Sequence, residues 1–172
     1  MKFNCKPKLG KPIGNINNIF DFVVKDLDNN DVNLSDYKDL NPIIVVNVAS
    51  LWGLATRNYE ELEILYKRYP KLGVLAFPSD QFGDQEYKSN DEIKEFIKNK
   101  NVTFPVFGKI DVNGKKENPL YTFLKNKKPG IIGKDIPWNY TKFLCDKGLP
   151  VKRFGPQSNP LSFEKEIKKL YK

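Results

Sequence analysis

The sequence predicts an α/β protein: a central mixed β-sheet flanked by helices, with a β-hairpin near the N-terminus. Two observations support this class. Apolar β-branched runs alternate with segments of helical periodicity, and the last third of the chain carries a second hairpin signal. With 172 residues, the chain can bury one substantial core but is too short for two domains of ordinary size. Since it shows no repeat or linker, we expect a single domain spanning residues 1–172.

Local signals define the elements of the first two thirds. Phe20, Phe22 and Val24 alternate with polar neighbours before a turn at Asn29-Asn30, which predicts the N-terminal hairpin. Near-continuous apolar runs predict buried strands, and apolar residues at helical spacing predict the helices after them. The elements expected after the hairpin are a strand over 42–48, a helix stopped by Pro70, a strand ending at Pro78, a helix with a Ser89/Glu92 capping box and a helix starting at Pro119.

The last third predicts two short strands joined at 146–148, and a final helix capped by Asn159-Pro160. The resulting order is β-α-β-α followed by β-β-α. This is the order of a thioredoxin-like sheet, parallel in its first half and antiparallel in its second. Ligands of such sheets bind beyond the carboxyl ends of the parallel strands. We therefore expect the loops after Val48 and Phe77 and the turn at 137–139 to share one rim.

The composition excludes several classes of function. The chain has no histidine, which rules out Ser-His-Asp and Cys-His catalysis and histidine-ligated metals. Two cysteines cannot supply a Cys₄ zinc site, so we predict neither a metal nor a bound cofactor. The net charge of +8 comes mainly from dispersed lysines rather than from clusters of arginine and aromatic residues, so we expect no nucleic-acid partner.

Three further features concern the compartment and the thiols. No run of eighteen apolar residues occurs, so stable membrane insertion is not expected. Residues 1–6 lack an apolar targeting core, and the scarcity of cysteine suits a reducing compartment, which together predict a cytoplasmic protein. Cys145 lies in a predicted strand and is expected to be a buried, inert thiol, whereas Cys5 is expected to be a mobile surface thiol.

Six segments match the signatures of one family, in order and over nearly the whole chain. They are NVASLWGLATRNYEEL, LAFPSDQFGDQE, FPVFGKIDVNG, NPLYTFLK, IPWNYTKFL and KRFGP. In these segments the chain resembles the glutathione peroxidase family. The resemblance implies thiol-dependent reduction of hydrogen peroxide and of lipid or other organic hydroperoxides, a role in oxidative-stress defence, and glutathione or thioredoxin as the reductant.

The resemblance also implies site residues, position by position. Gln81, Trp138 and Asn139 match the glutamine, tryptophan and asparagine that surround the nucleophile in relatives, where their N–H groups stabilise an anion. Trp52 falls at the position of the catalytic cysteine or selenocysteine. Because an indole has no proton that is acidic near neutral pH and cannot cycle through a sulfenic acid, we expect the chain to lack turnover.

Other departures from the family pattern also indicate a loss of turnover. Ser79 stands in place of a common cysteine, and Asp80 replaces an asparagine, adding a negative charge that would oppose a thiolate. The predicted helix around 93–100 lacks the resolving cysteine of thioredoxin-dependent relatives.

The resemblance also bears on assembly and substrate. The segment KNKKPGIIGKDIP lacks the insertion of tetrameric members, which implies the monomeric branch that accepts phospholipid hydroperoxides. Rim lysines such as Lys134 and Lys142 are candidates for contact with glutathione or lipid headgroups.

Three functional hypotheses follow. The chain is a natural pseudoperoxidase, or its parent is an active peroxidase in which codon 52 was altered or decoded differently. The tryptophan codon UGG differs by one base from the selenocysteine codon UGA and from both cysteine codons. Retention of Gln81, Trp138 and Asn139 favours recent or artificial loss. Ser79, Asp80 and the missing resolving cysteine favour older relaxation. The third hypothesis is a non-catalytic thioredoxin-like binding module that uses an aromatic rim formed by Trp52, Phe82 and Trp138.

Overall fold

The structure is a computed structural model that describes residues 15–172, so the prediction for Cys5 lies outside the described residues. The strands are β1 (Val23–Lys25), β2 (Asp31–Asn33), β3 (Ile43–Val48), β4 (Gly73–Pro78), β5 (Lys142–Asp146) and β6 (Leu149–Phe154). The helices are α1 (Ala55–Arg68), α2 (Asn90–Asn99), α3 (Pro119–Lys127) and α4 (Glu164–Leu170). The element order of the sequence prediction is therefore confirmed.

The central sheet has four strands in the order β4-β3-β5-β6. Strand β3 pairs with β4 in parallel and with β5 antiparallel, and β5 and β6 form an antiparallel hairpin with a bulge between Leu144 and Cys145. Every residue of β3 and β4 is buried, as expected for strands covered on both faces. The mixed thioredoxin-like sheet is thus present as predicted.

Each face of the sheet carries its own hydrophobic core, because successive strand residues point to opposite sides. One core joins α3 and the N-terminal hairpin to Ile43, Val45, Leu75, Phe77 and Phe143. The other joins α1, α4 and the apolar side of α2 to Ile44, Val46, Val48, Val74 and Leu144. Cys145 is fully buried in the first core, and burial raises the pKa of its thiol, as expected for an inert cysteine.

The N-terminal hairpin is present but shorter than the pattern suggests. Residues Ile19–Asp21 form a 3₁₀ turn, so Phe20 does not belong to a strand. The Asn18 side chain accepts the N–H of Phe20 at 2.9 Å and so closes this turn. Asn29 lies at the hairpin tip with φ of 64°, a conformation that asparagine tolerates better than most residues.

Of the two helix N-terminal caps that the sequence predicts, one is present and the other is not. Ser89 and Glu92 form the predicted capping box at α2. Asn159, in contrast, makes no side-chain capping bond, and the final helix begins with a 3₁₀ segment over Pro160–Phe163 before α4. Within residues 15–172, no helix is both long and apolar enough to cross a membrane.

Candidate active site

The three predicted loops meet at the carboxyl ends of β3 and β4. The Ser79 N–H donates to the Val48 carbonyl at 3.0 Å, which joins the end of β4 to the end of β3. The Leu51 N–H donates to the Gln85 carbonyl at 2.9 Å, which ties the loop after β3 to the loop after β4. The turn before β5 joins them through the Tyr140 hydroxyl, which donates to the Ala49 carbonyl at 3.2 Å. The rim is therefore one connected surface.

Asn47, a residue that the sequence reasoning did not single out, fixes the third loop. Its side-chain amide donates to the Trp138 carbonyl at 3.2 Å, and its Oδ1 accepts the Thr141 N–H at the same distance. Its backbone carbonyl accepts the Tyr140 N–H at 2.8 Å. A buried polar residue inside the otherwise apolar β3 needs such partners. The single asparagine in this apolar run could therefore have indicated from the sequence that position 47 holds a neighbouring loop.

Trp52 lies half-buried on this rim and does not simply point into solvent. Its ring stacks on Tyr140, with ring centroids 5.5 Å apart and an interplanar angle of 19°. Its carbonyl accepts the N–H of Ala55, the first residue of α1. Position 52 therefore sits beside the amino end of a helix of 14 residues, where the helix dipole favours an anion.

Asn139 is fully buried, and its side chain holds the site loops together. Its Nδ2 donates to Gln85 Oε1 at 3.0 Å and to the Phe82 carbonyl at 3.4 Å, which uses both amide hydrogens. Its Oδ1 finds no partner among residues 15–172. The side chain is thus committed to structure, because both of its amide hydrogens are used and the residue is fully buried.

Gln81 is exposed, and its side chain bonds to the backbone of a neighbouring loop. Its Oε1 accepts the N–H groups of Val112 at 2.6 Å and Asn113 at 3.0 Å, while its Nε2 donates to the Asn113 carbonyl at 2.8 Å. Asn113 in turn donates to the Ile136 carbonyl at 2.8 Å, just before the Trp138 turn. Since a primary amide carries two hydrogens, Gln81 keeps one N–H for a ligand.

Trp138 is 41% exposed, so its ring is the open aromatic group of the rim. It packs on Phe82 with ring centroids 5.6 Å apart. Gly83 lies below the ring at φ of +68°, and a Cβ there would lie 3.5 Å from the indole. Phe82 is only 6% exposed. The expectation of Phe82 as an exposed anchor is therefore wrong, because this ring supports Trp138 from within the core.

The negative charge of Asp80 is compensated in the structure. Its carboxylate lies 2.8 Å from the Lys109 ammonium, and this hydrogen-bonded pair lowers the pKa of the carboxyl. Asp80 consequently opposes an anion at position 52 less than the sequence alone suggests. Ser79, the residue directly after β4, is fully buried.

The two rim lysines of the sequence prediction have different positions. Lys134 is exposed, as expected. Lys142 is fully buried, with its Nζ donating to the Ser158 carbonyl at 2.8 Å, so the prediction that it meets a ligand is wrong. Residue alternation along β5 places this side chain in the core, and burial lowers its pKa to about 7.

A buried polar cluster lies behind the rim. Glu86 is 1% exposed and accepts the Tyr87 N–H at 2.9 Å. Burial raises the pKa of its carboxyl above the ordinary value. Its second oxygen, the Ser50 hydroxyl and the Tyr59 hydroxyl have no hydrogen-bond partner within the described part of the chain. No group of three or more potential metal ligands occurs among residues 15–172.

Fold and rim together define the class: a thioredoxin-like protein with polar donors gathered at the carboxyl edge of its parallel strands. The backbone resembles a thioredoxin-family thiol:disulfide interchange protein from Chlorobium tepidum, with TM-score 0.63 over 88% of this chain and 93% of that one, at 14% identity. At that identity the likeness concerns the fold alone.

The comparisons with closer relatives show the family. The glutathione peroxidase family model matches residues 19–125. An Arabidopsis thaliana protein named "Probable phospholipid hydroperoxide glutathione peroxidase 6, mitochondrial" is 49% identical over 156 residues, which cover 88% of this chain and 67% of the relative. The crystal structure of Trgpx in its apo form superimposes with TM-score 0.75 at 38% identity, covering 91% of this chain and 97% of that one. The chain belongs to the glutathione peroxidase family.

Proposed function

We propose that this chain keeps the anion-stabilising shell of a thiol-dependent hydroperoxide reductase but does not turn over. The observation that carries the proposal is the place of Trp52. The indole occupies the position between the amino end of α1 and the Tyr140 ring, where a nucleophile would benefit from the helix dipole. The stack on Tyr140 supports a chain that folds normally with tryptophan there, so loss of activity would be local.

The chemistry that the shell serves needs an anion at position 52. A thiolate or selenolate attacks the terminal peroxide oxygen, the O–O bond breaks, and a proton reaches the departing oxygen to give water or an alcohol. The nucleophile becomes a sulfenic or selenenic acid, which two thiols then reduce to release water and a disulfide. The Trp138 indole N–H and the remaining N–H of Gln81 are the donors we assign to the developing charge, and the buried Asn139 side chain holds the neighbouring loops in place.

The indole of Trp52 cannot replace the thiolate in this sequence. Its nitrogen lone pair belongs to the aromatic ring, and its N–H is not acidic near neutral pH. We therefore assign no catalytic step to Trp52, and propose phospholipid and other organic hydroperoxides as ligands of the rim rather than as substrates of this chain.

Two substitutions at position 52 test the proposal. Trp52→Cys introduces a nucleophile, and Trp52→Ser is its matched control, since both remove the indole and only the cysteine can be oxidised. We expect peroxide-dependent oxidation of glutathione or thioredoxin by the Cys variant, and none by the Ser variant or the unsubstituted chain. Enzymatic turnover by the unsubstituted chain would refute the proposal. An inactive but folded Cys variant would show that the shell itself is no longer competent.

A second candidate is an active parent enzyme whose codon 52 specifies selenocysteine or cysteine. The retention of all three shell residues favours it. Sequencing the genomic codon and measuring the intact mass of the chain decide between the two proposals, because a native UGG codon with the tryptophan mass leaves only the pseudoperoxidase. The binding-module hypothesis loses support because Phe82 is buried, which leaves Trp138 as the open ring of the proposed aromatic rim.

The oligomeric state and the compartment stay predictions. We propose a monomer, to be tested by light scattering of the purified chain. We propose the cytoplasm, although the Arabidopsis relative is named mitochondrial. Fractionation of source cells tests that proposal, and enrichment in an organelle would contradict it. The choice between glutathione and thioredoxin is open to measurement with the Trp52→Cys variant.

A further inference from the structure

The turn over residues 138–141 contains a bulky residue in an unusual backbone conformation. Tyr140 has φ of 56°, in the left-handed region that aromatic residues rarely adopt, and its side chain is fully buried. A residue keeps such a strained conformation only where the surrounding structure holds it there, and strained residues concentrate at functional sites. The contacts that hold Tyr140 are therefore candidates for a role in the site.

Asn47 makes contacts on both sides of Tyr140. The pairing of β3 with β5 ends one residue before Asn47, so the turn has no regular backbone ladder to hold it at this point. Instead, the Asn47 side-chain amide donates to the Trp138 carbonyl, and its Oδ1 accepts the Thr141 N–H, each at 3.2 Å. Its backbone carbonyl accepts the Tyr140 N–H at 2.8 Å. One buried residue thus fixes the chain before, at and after the strained position.

The strained turn directs two aromatic rings to opposite faces of the sheet. Tyr140 belongs to the core beneath α1, where its ring stacks on Trp52 and its hydroxyl donates to the Ala49 carbonyl at 3.2 Å. Trp138, two residues earlier, packs on Phe82, which belongs to the core on the other face. Relaxation of Tyr140 to an ordinary φ would rotate the chain between the two rings and displace the Trp138 indole relative to position 52.

We propose that Asn47 is a positioning residue: by holding the strained turn at Tyr140, it sets the direction of the Trp138 indole N–H relative to position 52. The inference rests on the proposed function, which assigns Trp138 to the developing charge. Asn47 itself is fully buried and contacts Trp138 through the backbone carbonyl, so it acts through the turn and touches no ligand. A donor stabilises a developing charge only within a narrow geometry, which is why its orientation matters.

The fluorescence of Trp138 tests this geometry without requiring turnover. The chain has two tryptophans, so Trp52→Phe leaves Trp138 as the single indole and keeps an aromatic ring on Tyr140. The anisotropy decay then separates motion of the indole within the protein from tumbling of the whole chain. In this background, Asn47→Ala should raise the population of mobile indole by roughly tenfold, because two hydrogen bonds to the turn are lost.

Asn41→Ala is the matched control in the same background. The Asn41 side chain accepts the Lys147 N–H at 2.7 Å and donates to the Asp146 carboxylate at 3.0 Å. It therefore holds the turn at the opposite end of β5 through the same kinds of bond, and its loss should change the mobile population of Trp138 by less than about twofold. No increase in Asn47→Ala, or an equal increase in Asn41→Ala, would overturn the proposal.

Asn47→Asp keeps the shape of the side chain and adds a pH-dependent readout. A protonated aspartic acid can donate to the Trp138 carbonyl and accept the Thr141 N–H, whereas the carboxylate has no donor and repels that carbonyl. The mobile population should therefore stay near the Asn47 level at acid pH and rise towards the alanine level as the carboxyl ionises. The same titration with Asn47 present accounts for other groups. A population that does not change with pH would overturn the proposal, and this variant decides the question if Asn47→Ala does not fold by circular dichroism.

Turnover gives a second and separate readout. In the Trp52→Cys background, Asn47→Ala should lower kcat/KM for hydrogen peroxide by roughly a hundredfold, the cost expected for misplacing a reacting group by about 1 Å. Asn41→Ala should lower it by less than about threefold. If Trp52→Cys does not turn over, the proposed function fails, and the anisotropy of Trp138 still decides this inference. An active Trp52→Cys protein whose kcat/KM is unchanged by Asn47→Ala would overturn it.

Discussion

Lys142 provides the sharpest quantitative test of the structure. Its ammonium is fully buried and donates to one carbonyl, that of Ser158, at 2.8 Å. It also lies 6.0 Å from the centroid of the Tyr140 ring. The acidic group that acts on it, Glu61, is itself bonded to Arg57 at 2.8 Å and to the Leu161 N–H at 3.0 Å. Burial therefore dominates and lowers the pKa of Lys142 to about 7.

The free-energy cost of burying Lys142 follows from this pKa. The unfolded chain holds its lysines protonated up to a pKa near 10.5, and a folded-state value of about 7 corresponds to a penalty on the order of 5 kcal/mol at neutral pH. Replacing Lys142 by methionine removes the penalty but leaves the Ser158 carbonyl without its donor, which costs about 1 to 3 kcal/mol. We expect Lys142→Met to raise the free energy of unfolding at pH 7 by about 2 to 4 kcal/mol.

The stability contribution of Lys142 changes with pH in a definite direction. Between pH 7 and pH 10.5 the unfolded lysine binds a proton that the folded one has released, so the contribution of Lys142 to stability becomes more favourable as pH rises. The advantage of Lys142→Met should therefore shrink by up to about 1.4 kcal/mol per pH unit from pH 7 to pH 9.

Urea unfolding of both proteins at a series of pH values measures this difference, and taking the difference cancels the titration of other groups. Lys165→Met, at an exposed lysine of α4, is the control and should change stability by less than about 0.5 kcal/mol at any pH. A Lys142→Met variant that is less stable at pH 7, or an advantage that does not change with pH, would refute the reasoning. Either result would mean that the native ammonium stays charged and adequately solvated.

Three further predictions concern the caps, the stack and the thiol. Ser89→Ala removes the side-chain cap of α2 and should lower the free energy of unfolding by about 1 kcal/mol, read as a lower urea midpoint with an unchanged m-value. Trp52→Ser removes the stack on Tyr140 and should lower the free energy of unfolding by about 2 kcal/mol. Trp52→Phe keeps an aromatic ring there and should lose less than half as much. Equal losses in the two variants would contradict the stacked geometry. Cys145 should not react with a thiol reagent such as dithionitrobenzoate in the native Cys5→Ser variant and should react fully in urea, because burial raises the pKa of its thiol; native labelling would show that the strand opens.

Signals that act over short distances in sequence predicted most of the fold. The apolar runs of β3 and β4, the capping box at Ser89 and the turn at Asn29 each need only neighbouring residues to form, so a single sequence reveals them. The element order then limits the ways in which the sheet can be assembled, which is why its mixed topology was correctly predicted.

The errors at the rim share one cause. Phe82 was expected to be exposed and Lys142 to face a ligand, and both are buried. In each case a loop or strand that is distant in sequence covers the side chain: Trp138 packs on Phe82, and Ser158 accepts from Lys142. Similarly, the compensation of Asp80 by Lys109 joins residues 29 positions apart. Such contacts leave no local pattern to read.

The sequence by itself determined the α/β architecture, the likeness to a peroxidase family and the tryptophan at position 52, because these depend on residue identity and short-range order. Only the tertiary structure decided which polar groups remain free to act. It commits the Asn139 side chain to Gln85, places Gln81 against Asn113 and lays Trp52 on Tyr140. The physical reason is that hydrogen-bonding capacity is finite, and what each donor has left depends on partners that only folding brings within reach.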